Sequence, residues 1–60
     1  MKEISHWEIW NDKEICLGRS KKFMDALKLL NYCSNELGEK CVIRECFPDG
    51  EYSVISGLFV

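Results

Sequence analysis

SKKFMDALKLLNYCSNELG, residues 20–38, is the stretch that decides the fold. Apolar side chains recur in it every three or four positions, which is the spacing of one face of an α-helix. That stripe consists of Phe23, Ala26, Leu27, Leu30, Cys33 and Leu37. Ser20 suits the N-cap and Gly38 suits the C′ position, where the backbone turns left-handed. The sequence predicts one amphipathic helix here, with an apolar side that the rest of the chain must cover.

The segment before the helix predicts an antiparallel hairpin. A strand rich in β-branched and aromatic residues, 4–10, is followed by the turn-forming NDK and by a second strand over 14–18. Pairing Trp10 with Glu14 would place on one face Trp7, Ile9, Ile15 and Leu17. The other face would carry His6, Glu8, Trp10, Glu14 and Cys16.

A second hairpin is predicted after the helix, with strands over 40–47 and 52–56 joined by the turn sequence FPDGE. Its register stays open at this level. A three-residue loop groups Phe47 with Ile43 and Ile55, whereas a two-residue loop groups it with Tyr52, Ile43 and Val54. The expected fold class is α+β: a four-stranded antiparallel sheet (β-β-α-β-β) with one amphipathic helix packed on one face.

The chain is short for the apolar surface that it carries. Its 60 residues form a single small α+β domain, 1–60, of a size whose core gives limited stability. One helix covers one side of a sheet, yet Trp10, the second hairpin and the apolar segment 58–60 add further apolar area. Such a surplus indicates an interaction surface. We therefore expect a protein partner and a homodimer formed through an edge strand or the open sheet face.

Charge and hydropathy restrict the compartment and the class of partner. Lys and Arg number 8 against 10 Asp and Glu, a net charge of −2, which gives little long-range attraction for polyanions. No apolar run is long enough for a signal peptide or a membrane span. We expect a cytoplasmic protein with no membrane partner, in which thiols stay reduced.

The cysteine spacing argues against a metal site. Cys16, Cys33, Cys41 and Cys46 are separated by 17, 8 and 5 positions, with no C-x-x-C knuckle. Positions five apart on a strand point to opposite faces, so Cys41 and Cys46 cannot chelate one ion together. We interpret all four as small buried apolar residues and expect no metal and no cofactor. A metal-stabilised domain is the weaker alternative.

No sequence motif of an enzyme is present. His6 and Glu8 lie two apart on one predicted strand and can touch, but we interpret the pair as a polar strand surface rather than as a catalytic pair. The expectation is a non-enzymatic protein without a small-molecule substrate.

A basic corner provides the alternative function. Arg19, Lys21 and Lys22 gather at the predicted helix N-terminus, where free amides favour an anion. With His6, Trp10 or Tyr52 as stacking groups, this corner would suit a small nucleic-acid-binding or regulatory domain. The acidic residues of the first hairpin argue against a uniformly basic binding face.

In size, charge and layout the chain resembles small phage or mobile-element inhibitors, including anti-CRISPR proteins. No motif carries that resemblance, so it assigns no residue. It implies a small non-enzymatic protein-binding module that blocks a nucleic-acid-handling host complex, with acidic groups meeting basic grooves and an aromatic anchor. The predicted partner-binding residues are Trp10, Glu8, Asp12, Glu14, Tyr52 and Phe59.

Overall fold

The computed structural model describes residues 3–55 and confirms the predicted α+β class. The elements are β1 (His6–Asn11), β2 (Cys16–Ser20), α1 (Phe23–Asn35), β3 (Cys41–Cys46) and β4 (Tyr52–Ile55). The strands form one antiparallel sheet in the order β2-β1-β3-β4. Helix α1 contacts β1, β2 and β3 on one face of that sheet. The central strands are therefore β1 and β3, which are separated in sequence by the whole of β2 and α1.

The core lies between α1 and the two central strands. Ile9 of β1 pairs with Ile43 of β3, and both side chains are fully buried. Ala26, Leu30 and Cys33 of the predicted helical stripe are also buried against them. The last member of the stripe, Leu37, is exposed because the helix ends before it.

The helix begins two residues later than predicted. Its N-cap is Lys22, which makes no side-chain capping hydrogen bond. Ser20 belongs to β2 instead, and its Oγ accepts a hydrogen bond from the Lys22 amide at 3.1 Å. The Ser20 hydroxyl thus stabilises the turn that leads into the helix rather than the first helical turn itself.

Beyond the C-terminal end of the helix, the chain turns at the predicted glycine. Although α1 ends at Asn35, Gly38 has a φ of +67° and the Glu39 amide donates to the Cys33 carbonyl at 3.1 Å. Glycine adopts this left-handed region without a Cβ penalty, and the bond that follows it reaches back six positions to a carbonyl of the last helical turn. Gly38 therefore reverses the chain towards β3.

The predicted register of the first hairpin is wrong. Trp10 pairs with Cys16, and Ile9 pairs with Gly18 across a β-bulge. The Asn11 side-chain oxygen accepts hydrogen bonds from the Lys13 and Ile15 amides, both at 2.9 Å, so Asn11 closes the loop instead of belonging to it. In consequence Ile15 is 54% exposed and is not a core residue.

The second hairpin adopts the three-residue loop, one of the two alternatives that the sequence left open. The Phe47 amide donates to the Glu51 carbonyl at 2.9 Å, and Gly50 takes a φ of +90° in the loop between them. Ile43 consequently pairs with Ile55 on the helix side of the sheet.

Candidate functional site

The face of the sheet opposite α1 carries a mixed set of aromatic, charged and sulfur-bearing side chains. Strand register assigns them to it, because alternate residues point to the same side. On this open face lie His6, Glu8, Trp10, Cys16, Arg19, Val42, Arg44, Cys46, Tyr52 and Val54. A shallow pocket of about 310 Å³ opens on this face at the end that carries the β3–β4 loop.

Arg44 lies between two aromatic rings at the centre of the open face. Its guanidinium carbon is 4.0 Å from the centre of the Trp10 ring and 4.3 Å from that of Tyr52. The guanidinium is thus within cation–π distance of both rings, whose faces attract it electrostatically. Tyr52 remains 53% exposed, so the outer part of this stack faces solvent.

Glu8 connects two neighbours on the same face. Its carboxylate lies 2.9 Å from His6 Nε2, and it accepts a hydrogen bond from Trp10 Nε1 at 2.9 Å. The hydrogen bonds from His6 and Trp10 lower the pKa of Glu8, since they favour the charged form. The carboxylate is 22% exposed and is therefore a partly buried negative charge.

Cys46 lies directly opposite His6 on the neighbouring strand and is buried. Burial and the adjacent Glu8 carboxylate raise the pKa of the Cys46 thiol to about 11. A protonated thiol is a poor nucleophile, and the second ring nitrogen of His6 faces Ser5 Oγ at 3.1 Å. The arrangement does not suit a cysteine–histidine catalytic pair.

The prediction of four buried cysteines holds for three of them. Cys33 and Cys41 lie in the core between helix and sheet, and Cys46 is buried on the open face. Cys16 is exposed, because its pairing with Trp10 puts it on the uncovered side of an edge strand. Cys41 and Cys46 point to opposite faces, as their spacing predicts.

Three of the predicted partner-binding residues come together, whereas two others lie elsewhere. Glu8, Trp10 and Tyr52 all line the pocket on the open face. Asp12 and Glu14 lie in the exposed β1–β2 loop, at the opposite end of the sheet. Phe59 falls outside the described residues.

The residues of the predicted basic corner lie near one another, but a carboxylate lies beside them. Arg19 and Lys21 line a hollow of about 320 Å³ together with His6 and Ser20. Lys22 is exposed next to it at the helix N-cap. Because Arg19 pairs with Glu8 in the strand register, a carboxylate lies next to the basic group on the open face.

Sequence reasoning missed Arg44 and Cys46 as members of the site. The alternation of residues along β3 already places Arg44 and Cys46 on the face away from Ile43, and this could have been predicted from the sequence. The pattern could not predict which strand lies next to β3, because β3 pairs with β1 across 29 or more intervening residues.

A larger hollow, of about 500 Å³, lies at the other end of the sheet near the β1–β2 loop. Its charged lining residues are Asp12, Glu39 and Lys40, which are exposed or half-buried. We give it less weight than the smaller pocket, because its buried polar side chain, Asn11, already accepts two hydrogen bonds from the β1–β2 loop and no stack of rings lines it.

Comparison with known proteins adds no assignment: neither the family models, nor the curated proteins, nor the solved structures gave a match to this chain. Within residues 3–55, the single helix is too short to span a bilayer.

Proposed function

We propose that this protein is a small non-enzymatic protein-binding module that occupies a partner's surface with its open sheet face. The observation that carries the proposal is the stack of Trp10, Arg44 and Tyr52 at the centre of that face. Trp, Tyr and Arg are the residues that dominate binding energy at protein interfaces, particularly where a ring of weaker contacts surrounds them. Val42 and Val54 lie beside the stack and would supply that apolar surround.

Charge at the two ends of the face favours a basic partner. The β1–β2 loop carries Asp12 and Glu14, and the β3–β4 loop carries Asp49 and Glu51. These loops lie at opposite ends of the sheet, because β1 and β3 run antiparallel. Acidic groups at a rim steer association towards positive surfaces. A nucleic-acid-handling complex offers such surfaces, so we propose an inhibitor of the phage or mobile-element type, including the anti-CRISPR type, acting in the cytoplasm.

The experiment is affinity capture from host lysate with a matched pair of variants. Tyr52 and Tyr32 are 53% and 54% exposed, but only Tyr52 lies on the open face, while Tyr32 lies on α1. We expect the wild-type chain and Tyr32→Ala to retain the same captured protein after nuclease treatment. Tyr52→Ala should lose it, because one wall of the Arg44 stack is removed.

Equal capture by both tyrosine variants would contradict the proposal, as would a partner that disappears with nuclease. Circular dichroism of both variants shows whether each is still folded, so that loss of capture can be assigned to the surface. Once the partner is purified, its affinity for the wild-type chain and for each tyrosine variant can be measured. Tyr52→Ala should weaken binding by about 2 kcal/mol or more, as truncation of a hot-spot residue does.

A homodimer is part of the proposal. β4 is an edge strand, and its two open-face residues, Tyr52 and Val54, are about half exposed. Pairing of β4 with a second copy would cover this edge and enlarge a small core.

Nucleic-acid binding at the basic corner is the second candidate, favoured by the hollow that Arg19 and Lys21 share with His6. Binding to short single-stranded and duplex oligonucleotides should then fall steeply with salt and be lost in Lys21→Glu/Lys22→Glu. Lys28→Glu, on the exposed part of α1, is the matched control and should keep binding. No binding at low salt would eliminate this candidate.

A further inference from the structure

Three different metal-ligating side chains converge on the open face. One nitrogen of His6, one carboxylate oxygen of Glu8 and the sulfur of Cys46 all lie within 4.8 Å of one another. They are the one such set of three or more among residues 3–55. Two come from β1 and one from β3, so the central strands of the sheet hold all three.

The geometry points to a divalent transition-metal site, best matched to Zn²⁺, formed by His6, Glu8 and Cys46. This inference does not depend on the proposed partner binding. It departs from the sequence-based expectation of no metal, which considered cysteine spacing but not the pairing of β1 with β3.

The donor chemistry selects the class of ion. Imidazole nitrogen, carboxylate oxygen and thiolate sulfur together suit Zn²⁺ and its spectroscopic substitute Co²⁺, whereas Mg²⁺ and Ca²⁺ prefer oxygen alone. A neutral imidazole with one carboxylate and one thiolate carries two negative charges, which a divalent cation balances. Three protein ligands leave a fourth tetrahedral position, which the pocket of about 310 Å³ keeps open to water or to a partner's side chain.

The distances require only a small adjustment. Two ligands of one tetrahedral zinc ion stand about 3.4–3.6 Å apart, given the usual metal–ligand bond lengths. The His6 nitrogen and the Glu8 oxygen are now 2.9 Å apart and must move slightly away from each other. The three ligand atoms now lie within 4.8 Å of one another, and the longest of their distances must shorten. Side-chain rotations of this size leave the strand backbones in place.

Neighbouring groups already orient two of the ligands. Ser5 Oγ lies 3.1 Å from His6 Nδ1, which leaves Nε2 directed at Glu8. Trp10 Nε1 donates to one oxygen of Glu8, which leaves the other on the His6 side. Hydrogen bonds of this kind from outer groups fix ligand orientation in metal sites.

Of the charged groups near the Cys46 thiol, Glu8 favours the binding of a cation and Arg44 opposes it. Glu8 beside the buried thiol raises the pKa of Cys46, and a cation between the two groups would reverse that effect. The Arg44 guanidinium favours the thiolate but repels a cation, and its position between Trp10 and Tyr52 holds it in the stack. Metal binding should therefore release a proton from Cys46.

The test is titration of the reduced, metal-free full chain with Zn²⁺ against a chromophoric chelator, and with Co²⁺ by absorption spectroscopy. We expect one ion per chain and a thiolate-to-cobalt charge-transfer band. Cys46→Ser and His6→Gln should each weaken Zn²⁺ binding by about 100-fold or more, since even outer-shell changes cost about 10–100-fold. The matched control is Cys16→Ser, an exposed cysteine on the same face, which should bind as the wild type does.

Absence of stoichiometric Zn²⁺ binding would overturn the inference, and so would binding that Cys46→Ser leaves intact. An equal loss of Zn²⁺ binding in Cys16→Ser and Cys46→Ser would also overturn it, because the site would then use other ligands. If Cys46→Ser fails to fold, His6→Gln decides the outcome, since His6 is itself only partly buried.

Discussion

Gly18 lies where β2 packs closely against the helix. A Cβ built on it would lie 2.5 Å from Leu29 Cδ2, well inside van der Waals contact. The glycine therefore allows Leu29 to pack over β2 where Ile9 pairs with Gly18.

We predict that Gly18→Ala destabilises the fold by about 1–3 kcal/mol, the usual cost of overpacking a core. The measurement is urea unfolding of a double-mutant cycle with Leu29→Ala. In the Leu29→Ala background the added methyl group has space, and the cost of Gly18→Ala should disappear. A cost that persists unchanged in that background would refute steric contact with Leu29 as its cause.

Asn11 determines the first hairpin through two hydrogen bonds from its side-chain oxygen. Replacement with alanine removes the acceptor of the Lys13 and Ile15 amides, two hydrogen bonds of about 0.5–1.5 kcal/mol each, so Asn11→Ala should cost about 1–3 kcal/mol in the free energy of unfolding. Asn11→Asp keeps an acceptor oxygen at the same position and should recover most of that loss at neutral pH. Urea denaturation of both variants is the measurement; equal destabilisation by both would show that the amide NH₂, not the oxygen, matters.

At the scale of single elements, the N-terminus of α1 lacks a side-chain cap. Lys22 has an extended backbone, φ −118° and ψ 131°, which is the conformation of an N-cap residue, but lysine accepts no hydrogen bond. Its positive charge also lies at the positive end of the helix dipole.

Lys22→Asp should therefore stabilise the chain by about 0.5–2 kcal/mol, because the new carboxylate can accept from free amides of the first turn. Thermal unfolding measures the gain as a higher Tm. Lys28→Asp makes the same change of charge on the exposed middle of the helix, without free amides, and should bring no gain. An equal rise in Tm for both variants would mean that net charge, not capping, is responsible.

At the scale of the whole molecule, residues 3–55 form a sheet with α1 on one face and no helix or strand of this described range over the other. Its fully buried large side chains are few among residues 3–55, with Ile9 and Ile43 the largest. A core of this size leaves a small margin of stability, which a second copy would increase.

We predict that sedimentation equilibrium at micromolar concentration detects a dimer, and that Val54→Asp shifts it to monomer. Val54 lies on the open face of edge strand β4 and is 49% exposed. A charge there should oppose pairing with a second copy. Met24→Asp, on the exposed side of α1, is the control and should leave the dimer intact. A wild-type chain that sediments as a monomer would contradict this prediction.

Local patterns were enough to predict the elements and their order, since helical spacing, strand composition and turn residues act over a few neighbouring positions. Gly38 and the FPDGE turn show this, because each reverses the chain where its own backbone preference requires it. Tertiary structure decided the rest. The first hairpin differs from its predicted register where the Asn11 side chain closes the loop and where Gly18 packs against Leu29. The pairing of β1 with β3 then brought Cys46 next to His6. No local pattern contains that contact, because strand neighbours are chosen by how the sheet covers the helix and not by residues adjacent in the chain.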